Sequence, residues 1–336
     1  MTELSIRFIS RAEVERLAIG ASDLLEVVAK GLAAHGRGDV VMPPKAHLML
    51  DHLYNGHFNI LSGYVGPIAR AGVKVVGDYV DNWKRGLPSE LALLTLYDPT
   101  TGTPLCIMDA TALTWMRTGA VTAVGALHLA RPDSAVVAHI GARGTAFSNL
   151  RLLASRFPLT SIRICSHRPE TRERLARRVE AELGVAAVAM DNPAEAADGA
   201  DIIVEATRLT APETLIPAAS VKPGALLVTY GWVRAIDAAL PLAADKFVVD
   251  DWAQCQVGGQ LHELIADGRL KAEHLHAEIG QIVCGDRPGR QDAQERIVFW
   301  HRGFAVSDVV LGDLILRRAE AEDVGTILPF AEVGEE

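Results

Sequence analysis

The chain has 336 residues, of which 49% are apolar and 22% charged, enough apolar material for one large or two ordinary domains. Its formal net charge of −9, with no basic stretch, argues against a nucleic-acid partner, because binding phosphates requires clustered lysine and arginine. The N-terminus lacks the basic-then-apolar layout of a signal peptide, and no apolar run approaches the ~20 residues that span a bilayer, so we expect no membrane partner.

The first third of the chain predicts two short helices followed by β-strands. Ser10-Arg11-Ala12-Glu13 is a capping-box motif that begins the first helix, and an amphipathic helix follows over about residues 22–35. The turn at residues 98–102 is typical of a hairpin connection. The expected strands are Ala46–Leu50, His57–Val65, Ala71–Val76, Leu91–Tyr97 and Leu105–Met108. A helix from about Ala110 to Leu129 follows them.

From Ala135 onward, short apolar runs alternate with helices or loops, which is typical of a parallel sheet covered on both faces. The runs are Ala135–Ile140, Ser161–Cys165, Ala186–Met190, Asp201–Ala206, Ala225–Thr229 and Lys246–Val249. A last helix is expected from Ala305 to Ala319, packed against the N-terminal region. Residues 334–336 are expected to form a frayed acidic tail. The pattern predicts an α/β protein whose character changes at about residue 131.

Residues 136–168 read as a strand, a glycine turn, a helix and a second strand, the context that a dinucleotide-binding loop requires. The turn Gly141-Ala142-Arg143-Gly144-Thr145-Ala146 departs from the full G-x-G-x-x-G spacing, and an ordinary glycine turn is the alternative. Glycines let backbone N–H groups approach a pyrophosphate at the positive end of the following helix. We predict dinucleotide contacts from Gly141, Arg143, Gly144 and Thr145.

The end of the second strand of this segment bears on the type of cofactor. NAD enzymes usually place an acid there for the ribose 2′-hydroxyl, whereas an arginine accommodates a 2′-phosphate. This chain has Ser166, His167 and Arg168 there, with no acid before Glu170. We therefore predict contacts from these three residues and a preference for NADP(H), with NAD(H) as the alternative. Arg172 is a further candidate, or part of a solvated helix face.

Three cations in the β-rich region are candidates for binding an anion. Lys74 interrupts an apolar strand, an edge or solvent position being the alternative, and Lys45 follows two prolines. Arg117 is the single cation of an otherwise uncharged helix that follows Asp109. Because an unpaired buried arginine is costly, Arg117 either pairs with an acid such as Asp109 or binds a carboxylate or phosphate.

Cysteines and histidines indicate no metal site. The four cysteines are far apart, with no C-x-x-C pair, so reduced thiols and a cytoplasmic location are expected. His274 and His276 alternate near two glutamates, but their spacing fits no Cys/His zinc pattern, and surface histidines are the simpler interpretation.

The chain resembles the ornithine cyclodeaminase/mu-crystallin family of NAD(P)-dependent enzymes over roughly residues 20–320. The resemblance is carried by 86-GLPSELALLTLYDPTTGTPLCIMDATALTWMRTGAVTA-123, the glycine loop, 198-DGADIIVEAT-207 and 299-FWHRGFAVSD-308. It implies a Rossmann-type doubly wound parallel sheet, here residues 131–304. It also implies a β-rich substrate-binding and dimerisation domain formed by both chain ends, here 1–130 and 305–336, and hence a homodimer.

The resemblance implies a substrate-carboxylate grip at the positions of Lys45, Lys74 and Arg117. The family pattern has arginine at the position of Lys45. This is a departure in binding geometry, because lysine lacks the bidentate fork of arginine. Asp308 matches a family aspartate. His301 replaces a family serine and places a titratable group near the site, the alternative being a histidine satisfied at the junction of the domains. Lys74, Arg117, His301 and Asp308 are the predicted catalytic residues.

Further matched positions lie beside the cofactor in the family. Ser89 replaces a family threonine and keeps the hydroxyl, and Thr207 matches an A-T dipeptide. The predicted cofactor contacts at these positions are Ser89, Thr118, Thr207, Tyr230 and Gly231.

One departure bears on the reaction. In family cyclodeaminases, an aspartate at the position of Val233 transfers protons at the substrate amine. In this chain, the candidate substitutes for that aspartate are Tyr230, His301 and Asp308. Hydride transfer to a C=N bond needs only the cofactor and orientation. We therefore predict an NAD(P)H-dependent oxidoreductase acting on the C=N or CH–NH bond of a small imino or amino acid, a ketimine reductase or amino-acid dehydrogenase. The alternatives are an ornithine cyclodeaminase-type ammonia-lyase that forms L-proline from L-ornithine, and a non-catalytic mu-crystallin-like small-molecule binder.

Overall fold

The computed structural model describes residues 2–333, so the predicted acidic tail at 334–336 lies outside the described residues. The N-terminal part of the chain contains, in order, β1 (Thr2–Ile9), α1 (Arg11–Arg16), α2 (Ala21–Gly36), β2 (Val40–Val41), β3 (Ala46–Met49), α3 (Asp51–Tyr54), β4 (Gly56–Val65), β5 (Arg70–Tyr79), β6 (Glu90–Tyr97), β7 (Pro104–Asp109) and α4 (Thr111–Leu129). The predicted elements of this part are confirmed with small differences at their ends. β1, β2 and α3 were not predicted.

The central part alternates strands and helices, as its sequence predicts. Its elements are β8 (Val136–Ile140), α5 (Ala146–Ala154), β9 (Ser161–Cys165), α6 (Pro169–Leu183), β10 (Ala186–Met190), α7 (Pro193–Ala197), β11 (Ile202–Glu205), β12 (Leu226–Thr229), α8 (Ala239–Ala243), β13 (Lys246–Val249), α9 (Trp252–Cys255), α10 (His262–Ala266), β14 (Leu275–Glu278), α11 (Ile279–Val283) and β15 (Ile297–Trp300). The chain then forms α12 (Ala305–Ala321) and β16 (Thr326–Val333). β14 alternates polar and apolar residues over four positions, too few for periodicity to distinguish a strand from a loop.

The chain divides into two compact units. The first consists of the chain up to Arg117 together with the chain from Phe304 onward, and the second runs from Thr118 to Gly303. The first boundary lies inside α4, earlier than the change of sequence character at residue 131. Because α4 is apolar on both sides of Arg117, composition gives no signal at this point.

The first unit is built on a largely antiparallel sheet to which both chain ends contribute. Among residues 2–333 its strand order is β16-β1-β7-β6-β5-β4-β2, with β3 paired to β4. β1 lies antiparallel to β16 and parallel to β7. α12 packs on α2 and on β4 and β5. The close approach of α12 requires glycine at Gly72, where an added Cβ would lie 2.9 Å from Val309 Cγ2.

The second unit is built on a parallel sheet. Within residues 118–303 the strand order is β10-β9-β8-β11-β12-β15-β13-β14, all neighbours parallel. The predicted doubly wound parallel sheet is therefore confirmed, with β14 and β15 as additional strands. The chain winds outward in both directions from β8, so the order reverses between β8 and β11. Ligands of such sheets bind at this point, outside the carboxyl ends of the strands.

In the part of the chain that the structure describes, no helix has the length and apolar character needed to cross a membrane.

Candidate functional site

The first unit buries a cluster of two cations around one carboxylate. Lys74 on β5 is 1% exposed, and its Nζ lies 2.5 Å from Oδ1 of Asp308 in the first turn of α12. Arg117 Nε lies 2.9 Å from the same oxygen. Lys74 Nζ also donates to the hydroxyl of Thr114 at 3.2 Å. The structure therefore brings together three of the predicted site residues, Lys74, Arg117 and Asp308. It adds Thr114, which shares a face of α4 with Arg117 at a spacing of three.

The structure decides two alternatives that the sequence left open for this cluster. Lys74 lies on a strand paired on both sides, by β4 and β6, and its side chain is buried rather than at an edge or in solvent. The acid that pairs with Arg117 is Asp308, distant in sequence, and not Asp109. Asp109 instead accepts hydrogen bonds from the backbone N–H and hydroxyl of Thr111, both at 3.1 Å, where α4 begins.

The cluster has an excess of positive charge, because Lys74 and Arg117 share the single carboxylate of Asp308. Burial, and then the neighbouring Arg117, lower the pKa of Lys74 to about 8, and Asp308 offsets only part of this effect. Within residues 2–333, Asp308 Oδ2 is buried without a hydrogen-bond partner. A lysine with a pKa near neutrality can exchange a proton with a substrate under physiological conditions.

Lys45 and Ser89, the other predicted residues of this unit, lie at the starts of strands. Lys45 is half-buried immediately before β3. Ser89 is half-buried immediately before β6, and its carbonyl accepts the backbone N–H of Tyr79 at 2.8 Å.

In the second unit, the glycine turn lies at the carboxyl ends of β8, β9 and β11. Gly141 and Gly144 have φ angles of 109° and 54°, in the left-handed region that favours glycine. The Gly141 N–H donates to the carbonyl of Cys165 at 2.8 Å, and an added Cβ would lie 2.6 Å from the carbonyl oxygen of Ala206. Arg143 and Gly144 are exposed. The turn thus presents backbone to solvent at the position where a dinucleotide loop is expected.

A hydrogen-bonded chain connects this turn to the end of β12. The Tyr230 hydroxyl lies 2.7 Å from Thr145 Oγ1 and accepts from Asn149 Nδ2 at 2.5 Å. Asn149 Nδ2 also lies 3.1 Å from Nε2 of His139, whose Nδ1 lies 2.7 Å from the carbonyl oxygen of Gly141. Thr145 and Tyr230 are predicted site residues that the structure brings together. Asn149 and His139 were missed, although a polar residue on the apolar face of α5 is a usable signal.

The polar segment after β9 leaves two predicted residues accessible. His167 and Arg168 are exposed, and Ser166 Oγ lies 2.9 Å from the hydroxyl of Thr171. Arg172 donates to the carbonyl of Ser166 at 2.8 Å, so it fixes the segment rather than belonging to a solvated helix face. Arg168 is the N-cap residue of α6.

A buried glutamate organises the ends of β11 and β12. Glu205 is fully buried and accepts from the backbone N–H of Thr207 at 2.7 Å and from the Thr207 hydroxyl. Its other oxygen accepts from the Thr229 hydroxyl at 2.7 Å and from Gln260 Nε2 at 2.6 Å. An added Cβ at Gly231 would lie 2.8 Å from Gln260 Nε2. The predicted residues Thr207 and Gly231 therefore meet at Glu205, which sequence reasoning missed although an acid ending an apolar strand marks it.

His301 follows β15 and is 1% exposed. Its ring stacks on that of Tyr230, with centroids 4.6 Å apart, and its Nε2 lies 3.1 Å from the hydroxyl of Thr122. Thr118 is also buried in this unit, on α4. Val233 is half-buried in the segment after β12 and carries no titratable group. His301, Tyr230 and Thr145 thus form one connected group, while His167 and Arg168 lie at the neighbouring strand end.

Comparison with known proteins identifies relatives over nearly the whole chain. The family model described as ornithine cyclodeaminase/mu-crystallin family matches residues 6–323. An alanine dehydrogenase of Archaeoglobus fulgidus is 29% identical over 329 residues, 97% of this chain and 98% of the relative.

Two solved structures are similar throughout. The Δ1-pyrroline-2-carboxylate reductase of Thermococcus litoralis, in complex with NADH and L-proline, has a TM-score of 0.91 and 28% identity, covering 96% of this chain and 99% of its own. An archaeal alanine dehydrogenase dimer with bound NAD has a TM-score of 0.89 and 27% identity, covering 98% of this chain and 100% of its own.

Proposed function

Since the chain belongs to the ornithine cyclodeaminase/mu-crystallin family, we propose that it is an NAD(P)H-dependent oxidoreductase that reduces the C=N bond of a small imino acid, or oxidises the CH–NH bond of the corresponding amino acid. The observation that carries this proposal is the buried cluster of Lys74, Arg117 and Asp308, which has an excess positive charge and a lysine with a pKa of about 8. The relatives described above include enzymes whose names state such activities.

The residues of the first unit supply binding and a proton. Arg117 provides a guanidinium suited to the substrate carboxylate, whose charge balances the excess positive charge of the cluster. Lys74, protonated below pH 8, donates a proton to the imine nitrogen, so that the C=N bond becomes CH–NH as hydride reaches the carbon. A reduced nicotinamide, when bound, supplies the hydride. The glycine turn of the second unit fits such a cofactor, since Arg143 and Gly144 are exposed immediately before the positive end of α5, which favours phosphate groups.

A substrate screen tests this proposal directly. NADPH and NADH consumption is followed with cyclic imino acids, and with 2-oxo acids plus ammonia or methylamine. Stoichiometric consumption with one of these classes is expected. Ammonia release and proline formation from L-ornithine without net cofactor change would indicate a cyclodeaminase instead, which we rank second because Val233 offers no base. Failure of both cofactors to bind in a thermal-shift titration would indicate a non-catalytic binder.

We propose NADP(H) as the preferred cofactor because the exposed Arg168 and His167 follow β9, where a carboxylate would repel a 2′-phosphate. Arg168→Asp is expected to lower kcat/KM for NADPH by roughly 10- to 100-fold, the range expected when one charged hydrogen bond is lost. Initial rates with NADPH and NADH provide the measurement. Arg174→Asp, which changes an exposed arginine further along α6, is the matched control and should leave the NADPH:NADH ratio unchanged. A wild-type preference for NADH would contradict this assignment.

We propose that the protein is a homodimer that pairs through the outer face of the first unit's sheet. Val75 on β5 and Leu93 on β6 are cross-strand partners, and with Leu91 they expose 38, 52 and 45% of their surfaces on the face away from Lys74. Adjacent exposed apolar patches of this kind are typical of protein interfaces. Leu93→Arg is expected to yield monomers in sedimentation equilibrium. Val188→Arg, at an exposed valine of the second unit, should not change the mass, and an unchanged Leu93→Arg dimer would exclude this face.

A reducing compartment such as the cytoplasm suits the cysteines. All four are free thiols, and Cys106, Cys165 and Cys255 are buried. Burial raises the pKa of Cys106 to about 12 and that of Cys165 to about 11, which suppresses their thiolate forms and their reactivity.

A further inference from the structure

The face of β5 that packs on α12 carries two residues that form ion pairs with this helix. Arg70, Gly72 and Lys74 follow one another at intervals of two and therefore share one face of the strand. Arg70 Nε donates to Oδ1 of Asp313 at 3.0 Å, and Lys74 Nζ donates to Oδ1 of Asp308 at 2.5 Å. At Gly72, between them, the missing side chain lets the helix lie close to the strand. Two ion pairs thus join one strand to one helix.

The two carboxylates lie on opposite flanks of the face that α12 presents to the sheet. At 3.6 residues per turn, Asp308 and Asp313 are about 140° apart around the helix axis and about 7.5 Å apart along it. Val309 and Gly312 lie between them on this face, and an added Cβ at Gly312 would collide with the side chain of Leu94 on β6. A rotation of α12 in either direction would therefore lengthen one of the two ion pairs.

Asp308 lies in the first turn of α12, where the helix begins without help from its N-cap side chain. The N-cap residue Phe304 is apolar, so its side chain cannot accept a hydrogen bond from the N–H groups of the first turn. The Ser307 hydroxyl donates to the carbonyl of Phe304 at 3.0 Å. The position of Asp308 between Lys74 and Arg117 therefore depends on how the following turns of the helix are held.

The carboxylate of Asp313, which is 3% exposed, pairs with two arginines of different origin. Arg70 on β5 contacts Oδ1, and its side chain is 20% exposed. Arg317 contacts Oδ2 at 2.9 Å, but it lies on α12 itself and its side chain is 58% exposed. Because Arg70 belongs to a different element, its ion pair can hold the helix on the strand, whereas that of Arg317 cannot.

From this geometry we propose that Arg70 and Asp313 are positioning residues that hold α12 where Asp308 lies between Lys74 and Arg117. The assignment rests on the proposed function, in which Lys74 gives a proton to the imine nitrogen. It accounts for a buried carboxylate on α12 that the proposed reaction does not use directly.

A displaced α12 would change the charges around Lys74. The charged groups that act on Lys74 are Arg117 from α4, Asp308 from α12 and, with the smallest effect, Glu90 from β6. Arg117 lowers the pKa of Lys74 and Asp308 raises it, so moving Asp308 away lowers this pKa further below its present value of about 8. The fall of log kcat/KM for reduction should then begin at a lower pH than in wild type.

Arg70→Met tests the proposal by the pH profile of kcat/KM for imino-acid reduction at saturating nucleotide. The inflection should move to lower pH, and kcat/KM should fall by about 5- to 50-fold, since misplacing a catalytic group by about 1 Å can cost up to about 100-fold. Arg70→Lys keeps the charge and should restore the wild-type inflection. The dissociation constant of the nucleotide should not change, because nucleotide binding is assigned to the second unit.

Arg317→Met is the matched control, because it removes an arginine from the same carboxylate and leaves the ion pair with β5 in place. It should match wild type in activity and in pH profile. In Arg70→Met, Asp313 stays paired with Arg317, so this variant should fold, and circular dichroism at the assay temperature checks it. Should Arg70→Met not fold, Arg70→Gln gives the same test with a side chain that stays polar.

The pH profile distinguishes positioning from general stabilisation. A folded Arg70→Met enzyme whose inflection stays at the wild-type pH would overturn the positioning role and leave the proposed function intact, even if its activity is lower. An equal shift in Arg317→Met would overturn it as well. Wild-type protein that reduces no imino acid would refute the proposed function and this assignment with it, so the two failures are distinguishable.

Discussion

Replacing Lys74 by methionine is expected to lower kcat/KM for imino-acid reduction by about 100- to 10,000-fold, the contribution typical of a positioned general acid. Methionine keeps most of the apolar volume of the side chain but has no proton to give and no charge to bind the substrate carboxylate. Lys74 is also the group of the cluster whose pKa, lowered by burial to about 8, lies near physiological pH. Initial rates at saturating nucleotide provide the measurement.

The pH dependence gives the same prediction a second readout. Reduction requires the protonated lysine, so log kcat/KM should fall with a slope near −1 above about pH 8, whereas oxidation requires the free amine and should rise through the same pH. Lys74→Met should lose this inflection. Lys30→Met, at an exposed helix lysine whose side chain is 73% accessible, serves as the control and should match wild type. A Lys74→Met enzyme that retains the inflection would assign the proton to another residue.

Asp308→Asn is expected to destabilise the protein by about 3–5 kcal/mol, the cost of breaking a buried ion pair by removing one partner. The substitution leaves Lys74 and Arg117 buried side by side with no counter-charge, since both contact the same Oδ1. Urea denaturation followed by circular dichroism measures the change in the free energy of unfolding. Asp323→Asn, at a carboxylate that is 95% exposed, should change stability by no more than about 0.5 kcal/mol.

The destabilisation by Asp308→Asn should depend on pH in a defined direction. Asp308 raises the pKa of Lys74, so its removal lowers that pKa further below the unfolded value of 10.5. The unfolded state then binds more protons than the folded state over a wider pH range than in wild type, and the free energy of unfolding increases as the pH rises through that range. Raising the pH from 7 to 9 should therefore recover part of the lost stability. In wild type the corresponding rise is confined to the interval from about pH 8 to 10.5.

The outcome that would contradict this interpretation is an Asp308→Asn variant as stable as wild type. The double variant Lys74→Met/Asp308→Asn provides a further check, because it leaves Arg117 as the one buried cation of the cluster, whereas Asp308→Asn leaves two side by side. It should be more stable than the sum of the single effects predicts, since the repulsion between Lys74 and Arg117 is removed together with the carboxylate. Its activity should remain as low as that of Lys74→Met.

Local sequence patterns determined the strands of the second unit and the position of its glycine turn. Short apolar runs between helices predicted the strands of the second unit, because a strand buried on both faces must be apolar along its length. The glycine turn was identifiable because the positive φ angles of Gly141 and Gly144 favour glycine. The family resemblance added the prediction that Lys74, Arg117 and Asp308 belong to one site.

What the sequence left open was the choice of partners. Arg117 contacts Asp308 and not the nearby Asp109, and β1 pairs with β16 at the other end of the chain. The hydrogen bonds of Glu205, and the chain from His139 through Tyr230, likewise join residues from different strands and helices. Local propensity and periodicity act over a few residues, whereas a buried polar group must find its partner wherever the packed chain brings one. For this reason only the tertiary structure decided which charges and hydrogen bonds meet.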